Sequence, residues 1–350
     1  LSGTDLQTQI ANSVKQAVNL LVAQSEHHCD VKVTSTSQSN SKNQAIYKVL
    51  SIVDVGLEGW VDNAEGLYSS RCLKEAMDML RQARKACDAL RANILQGVLK
   101  SASIHVINLL SQIHEENFQR PQHHKTTSKY MRQIQRWCEH FVRHTMAAYR
   151  PSRPNTAVLL EVQKVCWKVA NVLAIGFMRN ASLISGLRED AKLAIASDIA
   201  QLESALHLLA PKHHFATPPR WYSELRTFRQ MLFLDHNALS SKGLVHSVSP
   251  VIAAQFLLSR MSNRSVPITC VPFKALGTSI SKYNRWIEQQ TEFKILQKFQ
   301  TLIQDIRKKL KSGRALSAAS LATANASLDF VDSIVKAGLS APSVAAQSVS

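Results

Sequence analysis

Glycine and proline are scarce in this chain, at 11 and 10 residues in 350. Hairpin turns depend on those two residue types, so their shortage excludes a sheet-rich fold with many tight turns. Long apolar runs are missing as well. No stretch of ~18 or more apolar residues runs free of charge, which argues against a membrane-spanning helix; the most apolar run, Val169 to Met178, is too short. No signal-peptide pattern is visible. The chain opens on Leu1 rather than Met, and further sequence is expected upstream.

The signatures of several chemistries are also missing. There is no Gly-rich phosphate loop, no nucleophile elbow and no calcium loop of alternating carboxylates. The six cysteines (Cys29, Cys72, Cys87, Cys138, Cys166 and Cys270) never stand at the spacing of a metal knuckle. Most sit within helical patterns, where a thiol behaves as a small apolar side chain, so reduced thiols in a cytosolic setting are expected. Three adjacent histidine pairs occur, His27-His28, His123-His124 and His213-His214, the first beside Cys29. Neighbouring loop side chains diverge, whereas a zinc ion needs three or four converging ligands, so solvated loop histidines are expected rather than a site. Glu115-Glu116 beside His114 is the one cluster that resembles acid–base groups, and it reads as a polar helix end. No catalytic, cofactor-binding or metal residue is assigned, no cofactor or small-molecule substrate is implied, and an enzyme is not expected.

What the chain has in abundance is Leu, Ala, Gln, Lys and Arg, the strong helix formers. Apolar residues recur at helical spacing through Leu6, Ile10, Val14 and Leu21, and again through Leu73, Met77, Leu80, Cys87, Leu90 and Ile94. Tyr130, Ile134, Trp137, Phe141 and Ala148 form another stripe. Val158, Val162, Val165, Val169 and Val172 mark a helix apolar on most sides, hence central. Leu193, Ile199, Leu202, Leu206 and Leu209 predict the next helix, and Trp221 to Leu234 a short aromatic one. Pro250 suits a first helical turn leading into Val251 to Leu258. One long helix is expected from Ile280, Tyr283 and Ile287 through Leu296, Phe299, Ile303, Ile306 and Leu310. Leu321, Leu328, Val331 and Val335 allow a last one.

Polar or proline-bearing links divide these stripes. The organisation expected is an N-terminal helix over 1–30, a Ser/Thr/Gln/Asn linker over 31–44, and helical bundles over 45–120, 121–215 and 216–312. An Ala/Ser-rich tail with one helix follows over 313–350. The fold class is all-α, without a repeat of fixed period.

The formal net charge is +17. Such an excess attracts an anionic partner, which could be a nucleic acid, an anionic membrane surface or an acidic protein. The segment Arg71 to Lys100 is rich in basic residues but also holds Glu75, Asp78 and Asp88, so helical ion pairs take up part of its charge. Trp137, Phe141, Phe228 and Tyr283 lie on apolar stripes rather than among the charges, which disfavours single-stranded RNA.

Four segments resemble a known family in the same order. Leu225-Arg226-Thr227-Phe228-Arg229-Gln230-Met231-Leu232-Phe233 is similar to the Leu-Arg-x-Phe-Arg-Pro-Leu-Leu-Phe segment of subunit five of the conserved oligomeric Golgi complex, with Gln230 in place of proline. Arg179-Asn180-Ala181-Ser182-Leu183-Ile184 precedes it, followed by Lys192-Leu193-Ala194 and Ile199 to Glu203. Gln255-Phe256-Leu257-Leu258-Ser259-Arg260 resembles the family's Gln-Phe-Leu-Phe-Thr-Arg. Ser281-Lys282-Tyr283-Asn284-Arg285-Trp286-Ile287 resembles its aromatic-x-x-Trp-Leu helix, although Gln289, Gln290 and Thr291 replace acidic residues. The resemblance covers about Val158 to Leu310, in the family's C-terminal region. It implies an elongated rod of stacked helical bundles and a non-catalytic scaffold role in Golgi vesicle tethering, intra-Golgi retrograde transport and Golgi organisation. It implies partnership with subunit seven above all, and with subunits six and eight. The implied location is peripheral, on the cytosolic face of Golgi membranes, with contact to anionic membrane as a further expectation.

Overall fold

The structure is a computed structural model. It describes residues 41, 43–53, 56, 71–116, 118, 128–150, 156–210, 219–235, 238–239, 243–261, 270–312 and 318–341, with scattered positions between 9 and 23; over 71–80 only Asp78 has a described side chain. Among the described residues there are helices and turns and no strand, so the all-α expectation holds. Most of the N-terminal helix over 1–30, residues 31–40 of the polar linker and the last nine residues lie outside the described set.

The helices are α1 (Arg71–Ser111), α2 (Lys129–His140), α3 (Thr156–Ser182), α4 (Glu189–Leu209), α5 (Arg220–Met231), α6 (Pro250–Met261), α7 (Pro272–Ala275), α8 (Ile280–Gln289), α9 (Glu292–Ser312) and α10 (Ala318–Ser340). A helical stretch over 43–53 precedes them. The chain forms two compact units, one of Leu1–His105 with Cys138–Ala170, the other of Val106–Trp137 with Asn171–Ser350.

In the first unit the buried side chains follow the expected periods. Cys87, Leu90 and Ile94 of α1 are buried, as are Val158, Val162, Val165 and Val169 of α3. Tyr47 meets Tyr149 edge to face at 5.3 Å. Arg91 is only 2% exposed and is neutralised by Asp88 and Glu161, as a buried guanidinium requires. After α2 the backbone widens into a π-helical turn, Phe141–Met146.

In the second unit α6 is the most enclosed element, with every residue from Val251 to Ser259 buried. It starts at Pro250, as the sequence predicts. Helix α10 packs on α6 and α9, and a side chain at Gly338 would come within 2.8 Å of Pro250 Cβ and Leu296 Cδ1.

One expectation needs correction. The long helix from Ile280 to Leu310 is two helices, broken where Gln290 turns extended (φ −105°, ψ 152°). Thr291 restarts the chain as an N-cap, its hydroxyl accepting from Lys294 N–H at 3.4 Å. The break falls within the polar run Glu288 to Glu292, where the apolar stripe is interrupted between Ile287 and Ile295. In α4, Leu193 points outward at 59% exposure, whereas Ala191, Ile195 and Asp198 face in.

The segment Arg81–Glu115 contains a window whose mean hydropathy is 1.2, enough by length and composition alone to cross a membrane. Its burial alternates with the helical period. Ile94, Val106 and Leu110 are buried while Lys100, His105 and Asn108 are exposed, the pattern of an amphipathic core helix.

Gly338→Val should destabilise the protein by about 1–3 kcal/mol, because the rigid Pro250 ring cannot move aside. Urea unfolding with an unchanged m-value measures it, and a neutral result would show that α10 does not pack this closely.

Candidate functional site

Helix α6 is apolar all round except for Gln255, Ser259 and Arg260, and a buried amide must find partners. Gln255 Nε2 donates to Tyr283 Oη on α8 at 2.8 Å, and its Oε1 lies 3.4 Å from Ser182 Oγ at the end of α3. Two residues back on α3, Asn180 Oδ1 accepts from Asn284 Nδ2 of α8 at 2.7 Å. The same oxygen lies 3.0 Å from His114 Nε2, just beyond α1. Since the oxygen can only accept, His114 carries its proton on Nε2. Asn180 Nδ2 in turn donates to the Gly176 carbonyl at 2.8 Å. The backbone comes close here, for a Cβ at Gly176 would lie 2.8 Å from Leu110 Cδ1.

Helix α5 joins through Phe228, whose ring stacks edge-on against Phe256 at 5.5 Å. Arg260 closes the arrangement. Its guanidinium lies over the Phe256 ring at 4.3 Å and donates to the carbonyls of Leu234, at 2.6 Å, and Leu232. Those carbonyls end α5 without helical partners, so Arg260 acts as a C-cap supplied from another helix. All four segments that carry the family resemblance therefore meet in one node.

The groups in this node are hydrogen bonders rather than reactive centres. Burial holds the Tyr283 phenol far above its ordinary value. Burial also lowers His114 to about 4, outweighing its bond to Asn180, so the imidazole is neutral near pH 7. Arg179 is pulled down by burial while the carboxylates of Glu288, Glu292 and Glu224 oppose the fall. Beside the node lies an open cavity of about 560 Å3, lined by Ile113, His114, Glu115, Glu116, Leu183 to Leu187 and Lys274, among others.

A second polar pin joins α2 to α4. Ser128 and Tyr130 both donate to Asp198 Oδ2, at 2.6 and 2.7 Å, and burial raises that carboxyl. Glu116, half of the acidic pair flagged in the sequence, accepts from Lys129 N–H at 2.9 Å and so caps α2.

The three histidine pairs and Cys29 lie outside the described residues. Among the described residues no three His, Cys, Asp or Glu side chains gather as a metal site would require. Cys87, Cys138, Cys166 and Cys270 are buried thiols. Burial pushes Cys138 up to about 12 and Cys166 and Cys270 to about 11, which keeps these thiols protonated and inert. The sequence reading did not single out Asn180, Asn284, Gln255 or Ser182 as a network. The available signal was polar amides inside otherwise apolar helical faces, Gln255 within Val251 to Leu258 being the clearest.

His114 predicts a pH dependence. The unfolded chain takes up this proton near 6.5 and the folded chain only near 4. The folded state thus loses stability as pH falls through that window, by up to about 3 kcal/mol, and no further below it. His114→Gln keeps a donor toward Asn180 without a basic group. The advantage of the native protein over this variant in urea unfolding should therefore shrink by that amount between neutral pH and pH about 4. A constant difference would mean that His114 is not held neutral.

No protein-family model and no solved structure matches the chain. It is 28% identical over 208 residues to conserved oligomeric Golgi complex subunit 5 of Arabidopsis thaliana, a match covering 57% of this chain and 24% of that protein. It is 32% identical over 113 residues to the subunit of the same name in Mus musculus, covering 32% of this chain and 13% of that protein. The matched region is thus about a quarter or less of the length of these relatives. The resemblance read from the four motif segments is borne out, and the chain is related in sequence to conserved oligomeric Golgi complex subunit 5.

Proposed function

We propose that this chain is a non-catalytic scaffold portion of a Golgi vesicle-tethering subunit, corresponding to the family's C-terminal region. The observation that carries this reading is the similarity to conserved oligomeric Golgi complex subunit 5 in two distant organisms. The node adds support, because the resembling segments are spent on packing helices together and its polar groups bond to one another. On this reading the helical bundles offer their outer faces to partner subunits. The partners are other subunits of the complex, subunit seven foremost, then six and eight. The work is intra-Golgi retrograde transport and Golgi organisation, and the place is the cytosolic face of Golgi membranes, held peripherally.

The charge of +17 favours a second reading, a basic helical protein that binds nucleic acid or anionic membrane directly. Phosphate contacts make such binding fall steeply with salt.

Affinity purification of the tagged protein under mild lysis should recover tether subunits, subunit seven in the largest amount, and recovery of none of them overturns the scaffold reading. The second reading expects binding to RNA or phosphatidylserine vesicles that fades as salt is raised; absence of binding at low salt removes it.

A further inference from the structure

Helix α5 turns one face into the core and leaves Arg226, Arg229 and Phe233 exposed. Leu225, Phe228, Met231 and Leu232 are buried. Tyr222, Arg226, Arg229 and Phe233 recur at intervals of four, three and four, so they share the opposite face. Arg226 and Arg229 are exposed, and Phe233 is 43% exposed although apolar. Phe233 keeps the helical course because its N–H bonds the Gln230 carbonyl at 3.2 Å in a tightened last turn. Core packing accounts for none of these exposed side chains.

The face is charged in one sense. Glu224, the one carboxylate within α5, is turned inward and paired with Arg220 at 2.8 Å. Asp235, the next along the chain, accepts from Ala238 N–H at 2.7 Å. Neither Arg226 nor Arg229 lies within ion-pairing distance of a carboxylate among the described residues. Arg226 is steadied over the Tyr222 ring, 5.1 Å from its centroid, so its planar fork is held in place before any partner arrives.

We propose that this face docks an acidic amphipathic helix of a partner protein. Aromatic residues and arginine are the types enriched at the centres of protein interfaces. From Tyr222 to Phe233 the face runs about 16 Å, three turns, and its four-three-four spacing matches the repeat of a facing helix. Carboxylates on that helix would receive the two guanidinium forks, and its apolar side chains would cover Phe233. A second copy of this chain is a poor occupant because each copy carries +17. Two arginines flanked by aromatics also make a small footprint for a phosphate backbone or a lipid surface. Docking of this kind does not require the tether role.

The test uses the full chain and a fluorescent synthetic helix of about three heptads, with Leu on its seam and Glu beside it, against the same peptide with Lys for every Glu. At about 0.15 M salt the protein should bind the Glu peptide at least roughly tenfold more tightly than the Lys peptide. The Arg226→Glu/Arg229→Glu variant should reverse that preference, and Phe233→Ala should weaken Glu-peptide binding. Circular dichroism melting reports whether each variant folds, and Arg226→Gln/Arg229→Gln, which should abolish the preference, replaces the double Glu variant if that one does not. Equal binding of both peptides, or of neither, overturns the proposal. So does a Glu preference that survives in the double variant, since overall charge would then explain it. Binding to phosphatidylserine vesicles or RNA that depends on Arg226 and Arg229, without Glu-peptide binding, would assign the face to phosphate instead.

Discussion

The amide of Asn180 sits in apolar surroundings with its oxygen shared between Asn284 and His114 and its nitrogen given to the Gly176 carbonyl. Each of these bonds adds only about 1 kcal/mol net, but leaving one group unpaired in the interior costs about 1–3 kcal/mol. The constraint is therefore one of geometry more than of strength. Helix α8 and the end of α1 must stand where their side chains reach Asn180, because any other register strands a buried donor. Gln255 ties α6 to α8 by the same logic, and its neighbour Phe256 places α5 through the ring of Phe228.

Around this node the helices adapt. Glycine at 176 and 338 lets α3 and α10 approach their neighbours closely. Arg260 reaches across to satisfy carbonyls that α5 cannot satisfy itself, and Glu116 does the same for an amide at the start of α2. These are long-range replacements for caps that the local sequence does not supply, and they make helix ends depend on tertiary neighbours.

The same physics separates core from surface within a single segment. In Leu225 to Phe233 the residues on one side fill the interior, while Arg226, Arg229 and Phe233 face water. A resemblance to a family thus marks two kinds of position at once. The proposed scaffold role calls for a rigid inside and a surface that is incompletely satisfied by itself.

Helix content, the valine stripe of α3, the start of α6 at Pro250 and the apolar face of α9 were all legible from spacing alone. They rest on interactions within a turn or two of the chain, which the order of residues specifies directly. The break at Gln290 left only a weak trace, the polar run Glu288 to Glu292, which the surface turn of one continuous helix could equally have carried. The polar node lay further beyond reach. Asn180 and Asn284 stand 104 residues apart, and nothing local distinguishes an asparagine that will meet another from one that will meet water. The sequence by itself determined which segments coil and which of their faces are apolar. Only the tertiary structure decided which amides pair, which helix ends are capped from afar and which basic face stays open, since those depend on neighbours brought together by folding.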